Sequence, residues 1–191
     1  MTERLLHPAA IVREELHLRR IEMRAYRRSD ALFEVEGRIT DCKPYDVSRG
    51  GGATAVPAHQ PIHDMGVRLI FDEDLTVRAV ETFTDAAPYA ACPEGGRALQ
   101  SLIGLRMVPG WNREVRSRLA GPISCTHLME LLTPLATVAF QSLHILRIDR
   151  PEPVDPTGRP TKIDSCYAFA ADGEVVLRRW PHFYQVKSAK K

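Results

Sequence analysis

Leu32-Phe33-Glu34-Val35-Glu36-Gly37-Arg38-Ile39 alternates apolar and polar side chains along its length and runs on through Thr40-Asp41-Cys42. A period of two places Phe33, Val35 and Ile39 on one face of a strand and the charged residues on the other. Upstream, Ile21, Met23 and Ala25 alternate with charged residues, and Arg28-Ser29-Asp30 has the composition of a turn. Segments 18–28 and 31–42 therefore predict an antiparallel hairpin. Downstream, Val67, Leu69 and Phe71 alternate, Asp72-Glu73-Asp74 turns, and Leu75, Val77 and Ala79 alternate again, with the register continuing through Thr82-Phe83-Thr84. That is a second hairpin.

After Cys92-Pro93 the period becomes helical. Ala98, Leu102 and Leu105 form a stripe with Leu99 and Ile103 beside it, stopped by Pro109-Gly110. Trp111 to Leu119 predicts a short helix ended by Gly121-Pro122. A third starts near Ser124 as N-cap, with Leu128, Leu131, Leu132, Leu135, Val138 and Ala139 at spacings of three and four. Pro134 inside it predicts a kink or a split. Residues 150–161 read as a proline-rich loop. Ile163 to Ala170 and Glu174 to Arg178, joined by Asp172-Gly173, read as a last hairpin, with Trp180, Phe183 and Tyr184 as a packing flap.

Strands followed by helices predict an α+β fold: an antiparallel sheet of hairpins with helices on one face. The 191 residues read as a single domain, 1–191. Its parts are an N-terminal arm (1–17), strand hairpins (18–86), a helical part (93–143), the loop 150–161, and a C-terminal hairpin and flap (162–186).

A net charge of +2 and an apolar share of 44% are those of an ordinary soluble globular chain. Basic residues are spread along the sequence rather than massed, which argues against a nucleic-acid surface. The excess of arginine over lysine reads as codon bias. Four cysteines, no signal-peptide pattern and no apolar run near membrane length predict a cytoplasmic protein with no membrane partner. A homodimer stays open.

Chemistry-bearing residues fall where elements begin or end. Cys125 lies near a helix start, where unpaired N–H groups favour thiolate; it also falls on the apolar stripe, where a buried thiol is ordinary. His127 and Glu130, three apart, share a helix face and suit a base with its orienting carboxylate. Cys92 precedes Pro93 at another helix start. His63 and Asp64 are adjacent on a strand, so both reach one site only if the strand entry is irregular. Asp41, Lys43 and Tyr45 close the first hairpin and offer an acid–base set. Gly50-Gly51-Gly52 lacks a Gly-Lys-Ser/Thr ending and reads as a plain loop.

Two resemblances follow. Tyr26-Arg27-Arg28-Ser29-Asp30, Glu36-Gly37-Arg38-Ile39-Thr40-Asp41, Pro61-Ile62-His63-Asp64-Met65, Leu102-Ile103-Gly104, Pro109-Gly110-Trp111 and Ser124-Cys125-Thr126-His127-Leu128 look like a bacterial family catalogued as domain of unknown function 2889. That resemblance covers almost the whole chain and carries no activity with it. Over about residues 61–143 the order of Ile62-His63-Asp64, a hairpin, a cysteine opening a helix, and Cys125-Thr126-His127 opening a later helix is similar to iron–sulfur cluster scaffold proteins of the IscU type. The similarity implies an IscU-like core and carries Asp64, Cys92 and Cys125 over as candidate ligands. The family's first cysteine is replaced here by Ile62 or His63, and Ser124 stands where a His or Lys often precedes the last cysteine. With His63 substituting, the set His63, Asp64, Cys92 and Cys125 suits one zinc or iron ion better than an exchangeable cluster.

The expectation is a metal-binding protein acting as a small-molecule enzyme of lyase or hydrolase type, with His127, Glu130, Lys43 and Asp41 handling protons. The alternatives are a non-catalytic iron–sulfur scaffold or structural zinc protein, and a cofactor-independent lyase using Cys, His and Lys.

Overall fold

The computed structural model describes residues 11–48, 55–148 and 150–186, with the Arg147 side chain left out. The glycine triplet and the first ten residues lie outside them, as does the tail from 187. Contacts group the chain into two compact units, Met1–Ile145 and Leu146–Lys191.

The first unit is an α+β layer. β1 (Leu18–Arg27), β2 (Phe33–Cys42), β3 (Pro61–Phe71) and β4 (Val77–Ala86) form one antiparallel meander in the order β1-β2-β3-β4. The alternation at 33–42 is realised in the pleat: Phe33, Val35 and Ile39 are buried, and Arg38 is exposed. The β3–β4 turn is held by Asp72, whose Oδ1 accepts the N–H groups of Asp74 and Thr76, both at 3.0 Å. On the inner face lies α2 (Thr126–Ser142), burying Leu128, Leu131, Leu132, Leu135 and Ala139. Gly37 lets it approach, since a Cβ there would sit 3.2 Å from Leu135 Cδ2. α1 (Trp111–Leu119) packs beside α2, and the Trp111 indole N–H donates to the Leu132 carbonyl at 3.0 Å. A four-residue α3 (His144–Arg147) follows.

Three local expectations are corrected. Pro134 does not split α2, which runs unbroken through it. The carbonyl that a proline at 134 deprives of its helical donor is that of Glu130, a residue exposed to solvent. The stretch after Cys92 is a 3-10 helix, Cys92–Leu102, and its buried residues Gly96, Leu99 and Leu102 recur every three positions, the 3-10 period. Gly96 is pressed on β4, where a Cβ would lie 2.4 Å from Thr82 Oγ1. Cys125, not Ser124, is the N-cap of α2. By length and composition alone Thr126–Leu146 could cross a membrane; here the apolar stripe of α2 is buried against the sheet.

In the second unit the expected last hairpin is absent. Tyr167–Phe169 is a 3-10 turn and Glu174–Arg179 a helix, α4. A two-residue type I′ turn at Asp172-Gly173 needs positive φ at both residues, whereas Gly173 sits at φ −89° and caps α4. Glu174 in the first turn and Arg178 in the last pair with each other and complement the helix dipole. Trp180, Phe183 and Tyr184 pack on a small cluster of Ile163, Ala171 and Val176.

Candidate functional site

The register brings three residues into one row across the sheet. Arg19 of β1 faces Asp41 of β2, and Asp41 faces His63 of β3. The first turn of α2 lies over that row. His127 and Glu130, on one helix face, each meet a member of it.

Asp41 is the centre. It is 1% exposed, the one buried charged side chain among the described residues. Arg19 clamps it from both sides, Nε donating to Oδ1 and the second guanidinium nitrogen to Oδ2, each at 2.8 Å. His17 Nε2 is 2.9 Å from Oδ1 and His63 Nδ1 3.1 Å from Oδ2. His127 Nε2 stands 3.9 Å from the same Oδ2. Burial pushes the Asp41 carboxyl up, but the Arg19 guanidinium and His17 outweigh it and bring it down to about 2. Arg19 is held ever more firmly charged by Asp41, and its remaining arm reaches Glu130 Oε2 at 2.6 Å.

The His63 and His127 rings lie 3.9 Å apart, tilted by 34°. Burial lowers the His63 pKa, the neighbouring His127 adds to that, and Asp41 opposes both. The balance lowers it, which favours the neutral ring. Cys125 Sγ is 3.9 Å from His127 Nδ1 and 3.7 Å from Met65 Sδ. The thiol thus backs His127 from within the apolar layer.

A cavity of about 190 Å³ opens at this end of the sheet. His17, Arg19, Asp41, Lys43, His63 and His127 are its polar lining, and Val47, Val56, Ile62, Pro88 and Tyr89 its apolar lining. Val47 and Val56 exchange backbone hydrogen bonds at 2.8 and 2.9 Å, stapling the β2–β3 connection as a wall. A larger hollow of about 530 Å³ on the opposite face is paved with paired charges. There Arg68 meets Glu34, Glu36 and Glu81, and Arg38 meets Asp64 and Asp85. These pairs leave little free charge for a ligand.

Of the residues singled out from the sequence, Asp41, Lys43, His63 and His127 share the cavity, with Glu130 reached through Arg19. Cys125 touches the cluster from behind. Asp64 does not join it. β3 stays in step with β2 at His63 and Asp64, although the register shifts just beyond His63 and, on the β4 side, between Asp64 and Met65; the alternation sends Asp64 to the far face, where both its oxygens accept from Arg38 at 2.6 Å. Cys92 opens the 3-10 helix, outside the cluster. Among the described residues the one group of three or more metal-competent side chains is Asp41, His63 and His127, with donor atoms within 4.8 Å of one another. The expected foursome His63, Asp64, Cys92 and Cys125 is not brought together. Sequence reading missed His17 and Arg19; the observed hairpin is centred on Asp30, one residue later than the middle of the Arg28-Ser29-Asp30 turn, and it is this register that puts Arg19 opposite Asp41.

No curated protein and no solved structure matches the chain. A family model does, over residues 17–141, which covers the strand row, the cavity wall and nearly all of α2. The chain belongs to the family described as protein of unknown function (DUF2889).

Proposed function

We propose that the first unit is a small-molecule enzyme of lyase type working by acid–base chemistry, with His63 as the proton acceptor. The observation that supports this best is the hydrogen bond between His63 Nδ1 and the buried Asp41 carboxylate, 3.1 Å long. A carboxylate at Nδ1 fixes the proton there and leaves Nε2 as the acceptor. Burial and His127 lower its pKa and so favour the neutral form that a base requires. Arg19 keeps Asp41 ionised, so that the imidazolium formed by proton uptake is stabilised where it arises. His127, backed by the Cys125 thiol, is placed to return a proton on the same side. The four free cysteines fit a reducing, cytoplasmic setting.

A second reading rests on the shared oxygen Oδ2. His63 Nδ1 at 3.1 Å and His127 Nε2 at 3.9 Å bracket the roughly 3.3 Å edge that zinc–ligand bonds of about 2.0–2.1 Å imply for a tetrahedron. Zinc or iron held by Asp41, His63 and His127 would supply an activated water and favour a hydrolase or metal-assisted lyase. Against it, Arg19 already occupies both Asp41 oxygens with a cation.

The test is proton exchange in D2O. Carbonyl compounds of one-ring size are incubated with tag-free protein, and loss of the proton next to the carbonyl is followed by NMR. Exchange with the native chain and a loss of about 10²-fold or more in His63→Gln supports His63 as base. Equal exchange in both removes it. Retained exchange after chelation, in protein free of zinc and iron, excludes the metal reading.

A further inference from the structure

We propose that Lys43 binds the anionic group of the substrate, and that the substrate is a small organic monoanion whose apolar body is about one ring in size. The inference rests on the reading of this cavity as a substrate site.

Of the Lys, Arg and Asp side chains that line the cavity, Arg19 and Asp41 pair with each other and Lys43 is left over. Arg19 and Asp41 neutralise each other, and the free arm of Arg19 is taken by Glu130. The lowered pKa of His63 favours its neutral form. Lys43 is half-buried at the cavity, with its ammonium 5.8 Å from the Tyr45 ring centroid. Among the described residues no carboxylate comes within ion-pair range of it. A ring face attracts a cation but takes none of its hydrogen-bond donors, so three N–H groups remain for a ligand. A single ammonium is a point charge that matches one carboxylate or phenolate. A phosphate dianion is more often met by guanidinium forks or helix N-termini, and the one guanidinium here is engaged.

Shape sets the rest. The apolar lining of the cavity is Val47, Val56, Ile62, Pro88 and Tyr89. The volume, about 190 Å³, compares with the roughly 150 Å³ that accommodates one benzene ring. A sugar or a nucleotide would leave its hydroxyl groups unpaired against the valines. A ligand anchored at Lys43 and packed on these side chains lies in the same cavity that His63 lines.

The experiment uses three probes on the full chain, followed by NMR shifts and calorimetry: benzoate, benzamide of the same shape without charge, and acetate with charge but no body. Benzoate is expected to bind most tightly, with affinity in the millimolar range or better and weakening with salt. Lys43→Met should weaken benzoate about tenfold or more and leave benzamide unchanged, while Lys43→Arg restores most of the loss. Phenyl phosphate binding more tightly than benzoate would overturn the monoanion assignment. Equal binding of benzoate and benzamide, unchanged benzoate binding in Lys43→Met, or no benzoate shifts at cavity residues would overturn the proposal. The His63→Gln exchange assay is independent. A protein that binds benzoate through Lys43 but exchanges normally without His63 loses the base and keeps the anion site.

Discussion

Replacing Asp41 by asparagine keeps the side-chain shape and removes the charge that Arg19, His17 and His63 converge on. The amide must also turn its N–H2 toward a donor, Arg19 or His63, leaving that donor without an acceptor. Breaking a buried ion pair by deleting one partner costs about 3–5 kcal/mol. Arg19 is 33% exposed and retains Glu130, which brings the expected loss to about 2–3 kcal/mol. Linkage gives a similar figure. A carboxyl lowered from 3.8 to about 2 contributes about 2 kcal/mol at neutral pH. Because the folded-state value is the lower one, that contribution is complete above about pH 4 and is lost as pH falls through about 2. Urea unfolding followed by Trp111 fluorescence, in a Trp180→Phe background so that the second unit is silent, measures it. The asparagine variant should fall short by about 2–3 kcal/mol at pH 7 and by under about 1 kcal/mol near pH 2. A deficit below about 0.5 kcal/mol at pH 7, the usual scatter of surface changes, would refute the reasoning. So would one that stays constant with pH.

Gly66→Ala should be among the most damaging single-methyl changes, costing about 3 kcal/mol or more or abolishing soluble expression. Its Cβ would lie 2.3 Å from the Phe83 ring and 2.4 Å from the Gly37 carbonyl oxygen. Phe83→Ala should not rescue it, because the carbonyl stays; rescue would show the ring to be the whole obstacle. If the purified chain carries zinc or iron, elemental analysis should show the metal lost in His127→Gln and kept in Cys92→Ala and Asp64→Asn. Loss of metal in Cys92→Ala would place that thiol in the site after all.

The strands were legible because a half-buried antiparallel sheet writes its period directly into the sequence, and the burial of Phe33, Val35 and Ile39 follows the alternation. The buried face of α2 was legible for the same reason at a period near 3.6. At 92–102 the buried positions recur every three residues, and a glycine pressed on Thr82 leaves no apolar mark to reveal it. The C-terminal segment misled through Asp172-Gly173, which carries hairpin chemistry but here opens a helix. For the site, Asp41, Lys43, His63, His127 and Glu130 were each visible. Their grouping was not, because it depends on strand register: Arg19, Asp41 and His63 are separated by more than twenty residues at each step yet lie in one row. The same register sends Asp64 away from its neighbour His63. Arg19 was hidden among many arginines, and His17 in a segment with no periodic pattern.

The most direct test is a histidine-resolved NMR titration of His63, with the side-chain nitrogens observed for tautomer. The native ring should carry its proton on Nδ1 and titrate below the ordinary histidine value of about 6.5. In Asp41→Asn it should fall further, since the carboxylate is what opposes burial. A His63 that titrates at or above 6.5, or that holds its proton on Nε2 when neutral, would contradict its role as the proton acceptor of this cavity.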